Sequence, residues 1–261
     1  MTLLWHELKR NKISLLIWTY FLAFMLAVCV VIYPEMEAQM GDINDMLVNM
    51  GAFSDALGID QINFAEFMGY FAMECGEMLG LGGSIFAAIL GIGMLAKEEK
   101  DHTAEFLLSH PISRAKVVTD KLLAMVAQIT VMNLVIFAVT TVAALAIKVD
   151  ADFSKLALIF LAYYVLQLEI AAITFCISAF LKRGGFGIGL GFAFLLYFMN
   201  IISNLVEEAE FLKFITPFGY ADGSHIVNES AIEYKYLICG LAVTVICIAL
   251  AYKIYTSKDI A

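Results

Sequence analysis

Six long stretches of the chain are almost wholly apolar: 13–33, 70–96, 121–147, 156–181, 186–206 and 236–255. Each is about 20 residues or more, enough to cross ~30 Å of hydrocarbon as a helix. Hydrocarbon offers the backbone no hydrogen-bond partner, so the spans must be helices, and the short alternating segments of a membrane barrel are absent. Composition agrees. With 62% hydrophobic and 16% charged residues among 261, a soluble domain could not cover its surface. The expectation is an all-α integral membrane protein, one domain over 1–261 with six transmembrane helices. The first apolar run is too long for a signal-peptide core, and no small-x-small cleavage site precedes Pro34, so it is read as retained.

Charge placement orients the spans. With both termini on one side, that side holds twelve basic residues: Lys9, Arg10, Lys12, Lys97, Lys100, Arg114, Lys116, Lys121, Lys182, Arg183, Lys253 and Lys258. The other side holds four: Lys148, Lys155, Lys213 and Lys235. Basic residues collect on the cytosolic side, so the chain is expected in the cell membrane, multi-pass, N-in and C-in, in a bacterial plasma membrane. No basic stripe suits nucleic acid.

The connections carry their own signals. Residues 3–10 (LLWHELKR) are either an amphipathic helix on the cytosolic interface or an extension of the first span. Residues 34–68 read as a long acidic outer loop, broken at Pro34, with Met46, Leu47 and Met50 on a short helix. Residues 148–155 and 182–185 are tight turns. In the outer region 207–235, FLKFITPFGY (211–220) is apolar enough to dip into the membrane as a re-entrant or interfacial pair of short helices, broken at Pro217. Gly76/Gly80, Gly185/Gly189 and Gly187/Gly191 have the spacing that lets helices approach closely, within the chain or between subunits. Asn228-Glu229-Ser230 matches a glycosylation acceptor, relevant only in a eukaryote.

Catalytic signals are weak. His6, His102, His110 and His225 lie outside the spans and at no metal-ligand spacing, and no GxxxxGK[ST] loop is present. No catalytic residue, metal or resident cofactor is expected. Five cysteines (29, 75, 176, 239 and 247) read as buried apolar side chains, with a Cys29–Cys75 disulfide unsupported. The intramembrane acids matter more. Glu169 sits near the middle of the fourth span, where an ionisable group costs roughly 2.5–3.5 kcal/mol and should face protein or water. Asn133, Gln128 and Asn200 are candidate partners. Glu74 and Glu77, one turn apart near the outer end of the second span, are expected to share a face. Glu169, Glu74, Glu77, Asn133 and Asn200 are the candidates for a substrate path.

The strongest signal is cytosolic: KEEKDHTAEFLLSHPISRAKVVTDKLLA, residues 97–124. Asp101 can cap a short helix that carries Phe106, Leu107 and Leu108 and ends at Pro111. Ser113 can cap the next, which runs into the third span. The expectation is an amphipathic helix on the inner face, a sharp break, and a rigid rod.

This segment resembles the type-2 ABC exporter permeases. That family shows a KEE(K) run, then Thr-x-Glu-x-Leu-Leu-Ser, then Pro-(Ile/Leu)-Ser-Arg. The matching residues are Lys97-Glu98-Glu99-Lys100, Thr103, Glu105, Leu107-Leu108-Ser109 and Pro111-Ile112-Ser113-Arg114. Asp101-His102 stands where many members have a glycine. His6-Glu7-Leu8-Lys9-Arg10 and Thr216-Pro217-Phe218 are also similar to the family. The resemblance implies a half-transporter: two chains, identical or paired with a sister permease, on two separate cytosolic ATPases that bind the ATP and Mg. Glu98, Glu99, Thr103, Glu105, Phe106, Leu107, Leu108, Pro111 and Arg114 would couple to the ATPase. Amphipathic drug-like, antibiotic or peptide cargo is favoured. The alternatives are an ion-coupled transporter or channel using the intramembrane glutamates, and a non-transporting scaffold or sensor.

Overall fold

The computed structural model describes residues 2–48, 63, 66–97, 112–181 and 185–258. All regular structure among them is helical, and six helices are long and apolar enough to cross a membrane. In chain order the elements are α1 (Thr2–Val48), α2 (Phe67–Met94), α3 (Arg114–Ile147), α4 (Phe153–Phe180), α5 (Phe186–Leu205), the short α6 (Gly223–Glu229) and α7 (Tyr234–Ser257). The start of α1 and the end of α7 lie at one end of the bundle, hereafter the terminal face. α2 and α4 form the centre, with 61% of each apolar window inside the protein against 11% for α7. The outward faces of α1, α3, α5 and α7 carry exposed Leu, Ile, Val and Phe, as suits lipid contact.

α1 settles the reading of the N-terminus. Residues 3–10 extend the first span within one continuous helix of 47 residues, roughly 70 Å at 1.5 Å per residue. They do not form a separate interfacial helix. The helix also runs through Pro34 to Val48, so 34–48 is helical rather than loop, and Met46 and Leu47 lie in it. Pro34 leaves the Val30 carbonyl without its usual i+4 donor. Tyr33 beside it is buried against Phe67 (5.2 Å between ring centres) and Tyr70 (5.4 Å), which holds this stretch of α1 on α2. Met50 lies outside the described residues.

α2 contains a π-helical segment, Gly76–Gly82, between α-helical Phe67–Cys75 and Gly83–Met94. The apolar pattern does not announce it. The Gly80-Leu-Gly-Gly run has poor α-helix propensity, so the distortion is inexpensive there. Neighbours hold it in place. Ser84 Oγ donates to the Gly80 carbonyl, and Gln167 Nε2 of α4 donates to the Leu79 carbonyl at 3.0 Å. A Cβ on Gly83 would fall 2.2 Å from that same Nε2, so only glycine admits the α4 amide this close.

The expected re-entrant pair is present. After α5, a 3-10 helix spans Glu207–Phe214, the chain breaks at Ile215-Thr216, and Pro217 opens a second, Pro217–Gly219. Residues 216–221 are all buried. Thr216 Oγ1 donates to the Leu196 carbonyl at 2.9 Å, roughly 13 Å in from the Leu205 end of α5. Phe218 stacks edge-on against Tyr197 at 5.6 Å. Asp222 then caps α6 by accepting from Ser224 N and His225 N, and Lys155 Nζ donates to the Val227 carbonyl.

At the terminal face a buried ion pair ties three spans. Lys121 Nζ lies 3.2 Å from Glu7 Oε1, with both side chains fully buried, and donates at 2.6 Å to the Met94 carbonyl that ends α2. Arg10 adds a second cation, 2.7 Å from Glu7 Oε2. Removing Lys121 takes from the buried Glu7 one of its two cations and from the Met94 carbonyl its ammonium donor, and breaking a buried pair is costly. Lys121→Met should therefore cost about 3 kcal/mol, read as a lower unfolding midpoint of the detergent-solubilised protein. Glu7→Gln with Lys121→Met should recover most of it. Equal melting of Lys121→Met and wild type would refute the pair's role.

Candidate functional site

The sequence grouped the intramembrane polar residues around Glu169. The structure separates them into three sites. Glu169 is 4% exposed, and its Oε2 accepts from the Tyr220 hydroxyl at 2.9 Å. A Cβ on Gly240 of α7 would lie 2.2 Å from the same oxygen. The carboxyl group is thus enclosed by α4, α7 and the re-entrant segment, which meets the requirement that an intramembrane acid be covered by protein. Its expected partners lie elsewhere. Asn133 Nδ2 donates to Gln167 Oε1 (2.7 Å) and to the Ile129 carbonyl (2.9 Å); Gln128 turns back to the Ala124 carbonyl. Asn133 therefore belongs to the chain that runs through Gln167 to the π segment.

Glu74 and Glu77 do not share a face. Glu74 receives the Cys29 thiol of α1 at 3.4 Å, whereas Glu77 receives the Tyr197 hydroxyl of α5 at 2.8 Å. The π segment begins between them. Its turn takes more residues than an α turn, so three positions no longer bring a side chain back to the same side. Cys29 and Cys75 are both free thiols.

Glu77 and Asn200, two of the sequence candidates, do come together. They line a cavity near the far face with Tyr163, Tyr197, Asn204 and Asp222, roofed by Phe218 and Ala221 of the re-entrant segment. It combines two carboxylates, two amides and two phenols with aromatic walls, a lining able to bind a polar or cationic group beside an apolar one. Tyr163 is packed so tightly under α2 that a Cβ on Gly76 or Gly80 would come within 3.1 Å of its ring or hydroxyl. Gly189 likewise packs within the chain, against Ala88, whereas Gly187 and Gly191 face open space.

At the terminal face, Glu98, Glu99, Thr103, Glu105, Phe106, Leu107, Leu108 and Pro111 lie outside the described residues. Arg114 is described, and so are both mounts of that segment. On one side, Met94, Leu95 and Ala96 are buried, with the Met94 carbonyl on Lys121. On the other, Ser113 caps α3 as expected, accepting from Lys116 N, and Arg114 donates to the carbonyls of Thr256 and Lys258 at the end of α7. Thr119 and Tyr252 share a 2.8 Å hydrogen bond one turn further in.

Sequence reasoning missed Gln167, Tyr197, Tyr220, Gly240 and the Glu7–Lys121 pair. Gln167 carried a usable signal, a second polar side chain in the span of Glu169. Tyr220 and Gly240 carried none, because a tyrosine and a glycine are ordinary in membrane helices. Gly240→Ala should force the new methyl into the Glu169 carboxylate and cost about 1–3 kcal/mol as an overpacked core does. Glu169→Ala in the same chain should relieve it, measured by thermal melting of the single and double variants. Additive losses would place the carboxylate elsewhere.

No curated protein matches the chain in a sequence comparison. The family model described as ABC-2 family transporter protein matches residues 1–260. That match spans all six membrane helices, the re-entrant segment and both mounts of the 98–111 connection. The chain is a member of the ABC-2 transporter family, a membrane permease subunit of an ABC transporter.

Proposed function

We propose that this permease exports amphipathic drug-like, antibiotic or peptide cargo, driven by cytosolic ATPase subunits that dock on residues 98–110. The reading rests above all on how the ends of that segment are mounted. One end is fixed to α1 and α3 through Lys121, Glu7 and the Met94 carbonyl, and the other to α7 through Arg114. A push on the segment therefore reaches α1, α2, α3 and α7 together. Glu98, Glu99, Thr103, Glu105 and the Phe106-Leu107-Leu108 patch supply the docking surface, and ATP and Mg bind on the partner. The cavity of Glu77, Tyr197 and Asn200 is the cargo site nearest the far face. Two copies, or this chain and a sister permease, complete the transporter, with the exposed Gly187/Gly191 edge of α5 available for close helix contact.

The terminal face is cytosolic in this reading, because twelve of the sixteen Lys and Arg residues lie on that side. Single cysteines at Asp150 and Glu229, both exposed at the far face, should label with an impermeant thiol reagent in intact cells carrying an otherwise cysteine-free chain. Labelling only after lysis would invert the topology.

Truncating an anchor side chain in a docking groove costs ~2 kcal/mol or more. Phe106→Ala should thus weaken ATPase association roughly 30-fold, read by copurification with tagged permease, and Glu105→Lys should weaken it further. Membrane insertion should survive both. A double variant that still copurifies its ATPase and transports normally would remove residues 98–110 from the coupling role.

A further inference from the structure

The cavity under the re-entrant segment holds about 80 Å³, against roughly 300 Å³ or more for a pocket that takes a whole drug-sized molecule. It admits one small group. Two of its lining residues are acids, Glu77 and Asp222, and among the described residues no Lys, Arg or His lines it. The basic side chains around α6 are turned to other partners. Lys155 Nζ donates to the Val227 carbonyl, and the His225 ring pairs with the Ala231 carbonyl.

Each acid uses one oxygen in the fold. Glu77 Oε1 accepts from the Tyr197 hydroxyl, and Asp222 Oδ1 accepts from Ser224 N, Ser224 Oγ and His225 N at the start of α6. Glu77 Oε2, Asp222 Oδ2 and the Asn200 amide have no hydrogen-bond partner among the described residues. Tyr163 is the independent sign of a ligand. It is 4% exposed, and its hydroxyl sits beside Gly76 of the same lining, where a Cβ would lie 3.1 Å from it. That hydroxyl also has no partner among the described residues. Buried hydroxyls are nearly always hydrogen-bonded, so one left open at a cavity marks where another group completes the bond. Water can fill a single bond, but two carboxylates in one small, low-dielectric pocket attract a positive charge.

We infer that this cavity binds a hydrogen-bond-donating organic cation, the ammonium, amidinium or guanidinium head of the cargo. Its N–H groups would meet the open oxygens of Glu77 and Asp222 in charge-assisted bonds and the Tyr163 hydroxyl in a neutral one. Its charge would also be drawn to the rings of Tyr163, Tyr197 and Phe218. A quaternary ammonium would bring the charge and no donor. The inference rests on the reading of this cavity as the cargo site and narrows that cargo to organic cations.

The test is calorimetric titration of the full chain in phosphatidylcholine nanodiscs, at fixed ionic strength, with benzamidine (a planar amidinium) and with benzamide, its neutral isostere. Benzamidine should bind roughly ten-fold tighter or more, the ratio one hydrogen bond to a charged group carries. Glu77→Gln keeps an acceptor for Tyr197, and Asp222→Asn keeps a helix cap. Each should cut that ratio several-fold. Asn200→Asp adds a third carboxylate and should tighten benzamidine alone, a gain that a misfolded chain cannot give. Equal affinity for the two probes in the wild type, or a ratio indifferent to Glu77→Gln and Asn200→Asp, would overturn the inference and leave export itself standing. So would displacement of benzamidine by sodium but not potassium, which would make the site one for an inorganic cation. Selective binding of benzamidine with no inhibition of transport would instead overturn the reading of the cavity as the cargo site, with the cation site itself confirmed.

Discussion

Lipid supplies no hydrogen bonds, and nearly every informative feature of this structure follows from that. A polar group inside the bilayer must find its partner on the protein, so each one selects a neighbouring helix. Gln167 reaches Leu79 and Asn133, Glu77 reaches Tyr197, Glu169 reaches Tyr220, and Glu7 reaches Lys121. Apolar packing is less selective here, because a leucine is about as well solvated by lipid as by another leucine. The polar pairs therefore determine which helix lies beside which. Each averages well under 2 kcal/mol in membrane proteins, so their weight lies in specificity more than in stability.

The π segment of α2 shows how one such pair reshapes a span. A π turn is rare, occurs mostly as a single-turn insertion in an α-helix, and is frequent at functional sites. Gln167 supplies a donor to the Leu79 carbonyl, and Gly83 supplies the space for that amide. The consequence is geometric. Glu74 turns toward α1 and Glu77 toward α5, and only Glu77 lines the cavity under the re-entrant segment. The distortion thus assigns Glu74 to a contact with α1 and Glu77 to the lining of a cavity.

The parts legible in the sequence were those written in apolar length and in breakers. Six spans, the dip at 211–220, the break at Pro217 and the Ser113 cap all follow from local pattern. Pro34 misled, because a proline stops a helix only when nothing else holds it, and Tyr33 is held between Phe67 and Tyr70. Helix continuity there is set by a tertiary contact with α2, about which the local pattern is silent. Partner choice failed for the same reason. Glu169 was correctly marked as a residue that must be covered, yet its cover comes from a tyrosine on a re-entrant turn and a glycine on α7. Both are common residues whose role exists only through their position. Lys121 was counted only among the cytosolic basic residues and Glu7 only within the HELKR run, whereas burial makes them a clamp.

That clamp bears on how force would cross the membrane boundary. A connection between two spans moves only its own ends unless those ends are tied to other elements. Residues 98–111 join α2 to α3, which alone would move two helices. Lys121 adds α1 by holding Glu7 and the Met94 carbonyl at once, and Arg114 adds α7 through the carbonyls that end it. The re-entrant segment is in turn held by α4 and α5 at the far side of the bundle. A displacement entering at the terminal face therefore meets a block of four helices, while α4 and α5 hold the roof of the Glu77 cavity. The Glu77 cavity lies between α2 and those two helices, and the π segment of α2 lines it through Gly76 and Glu77.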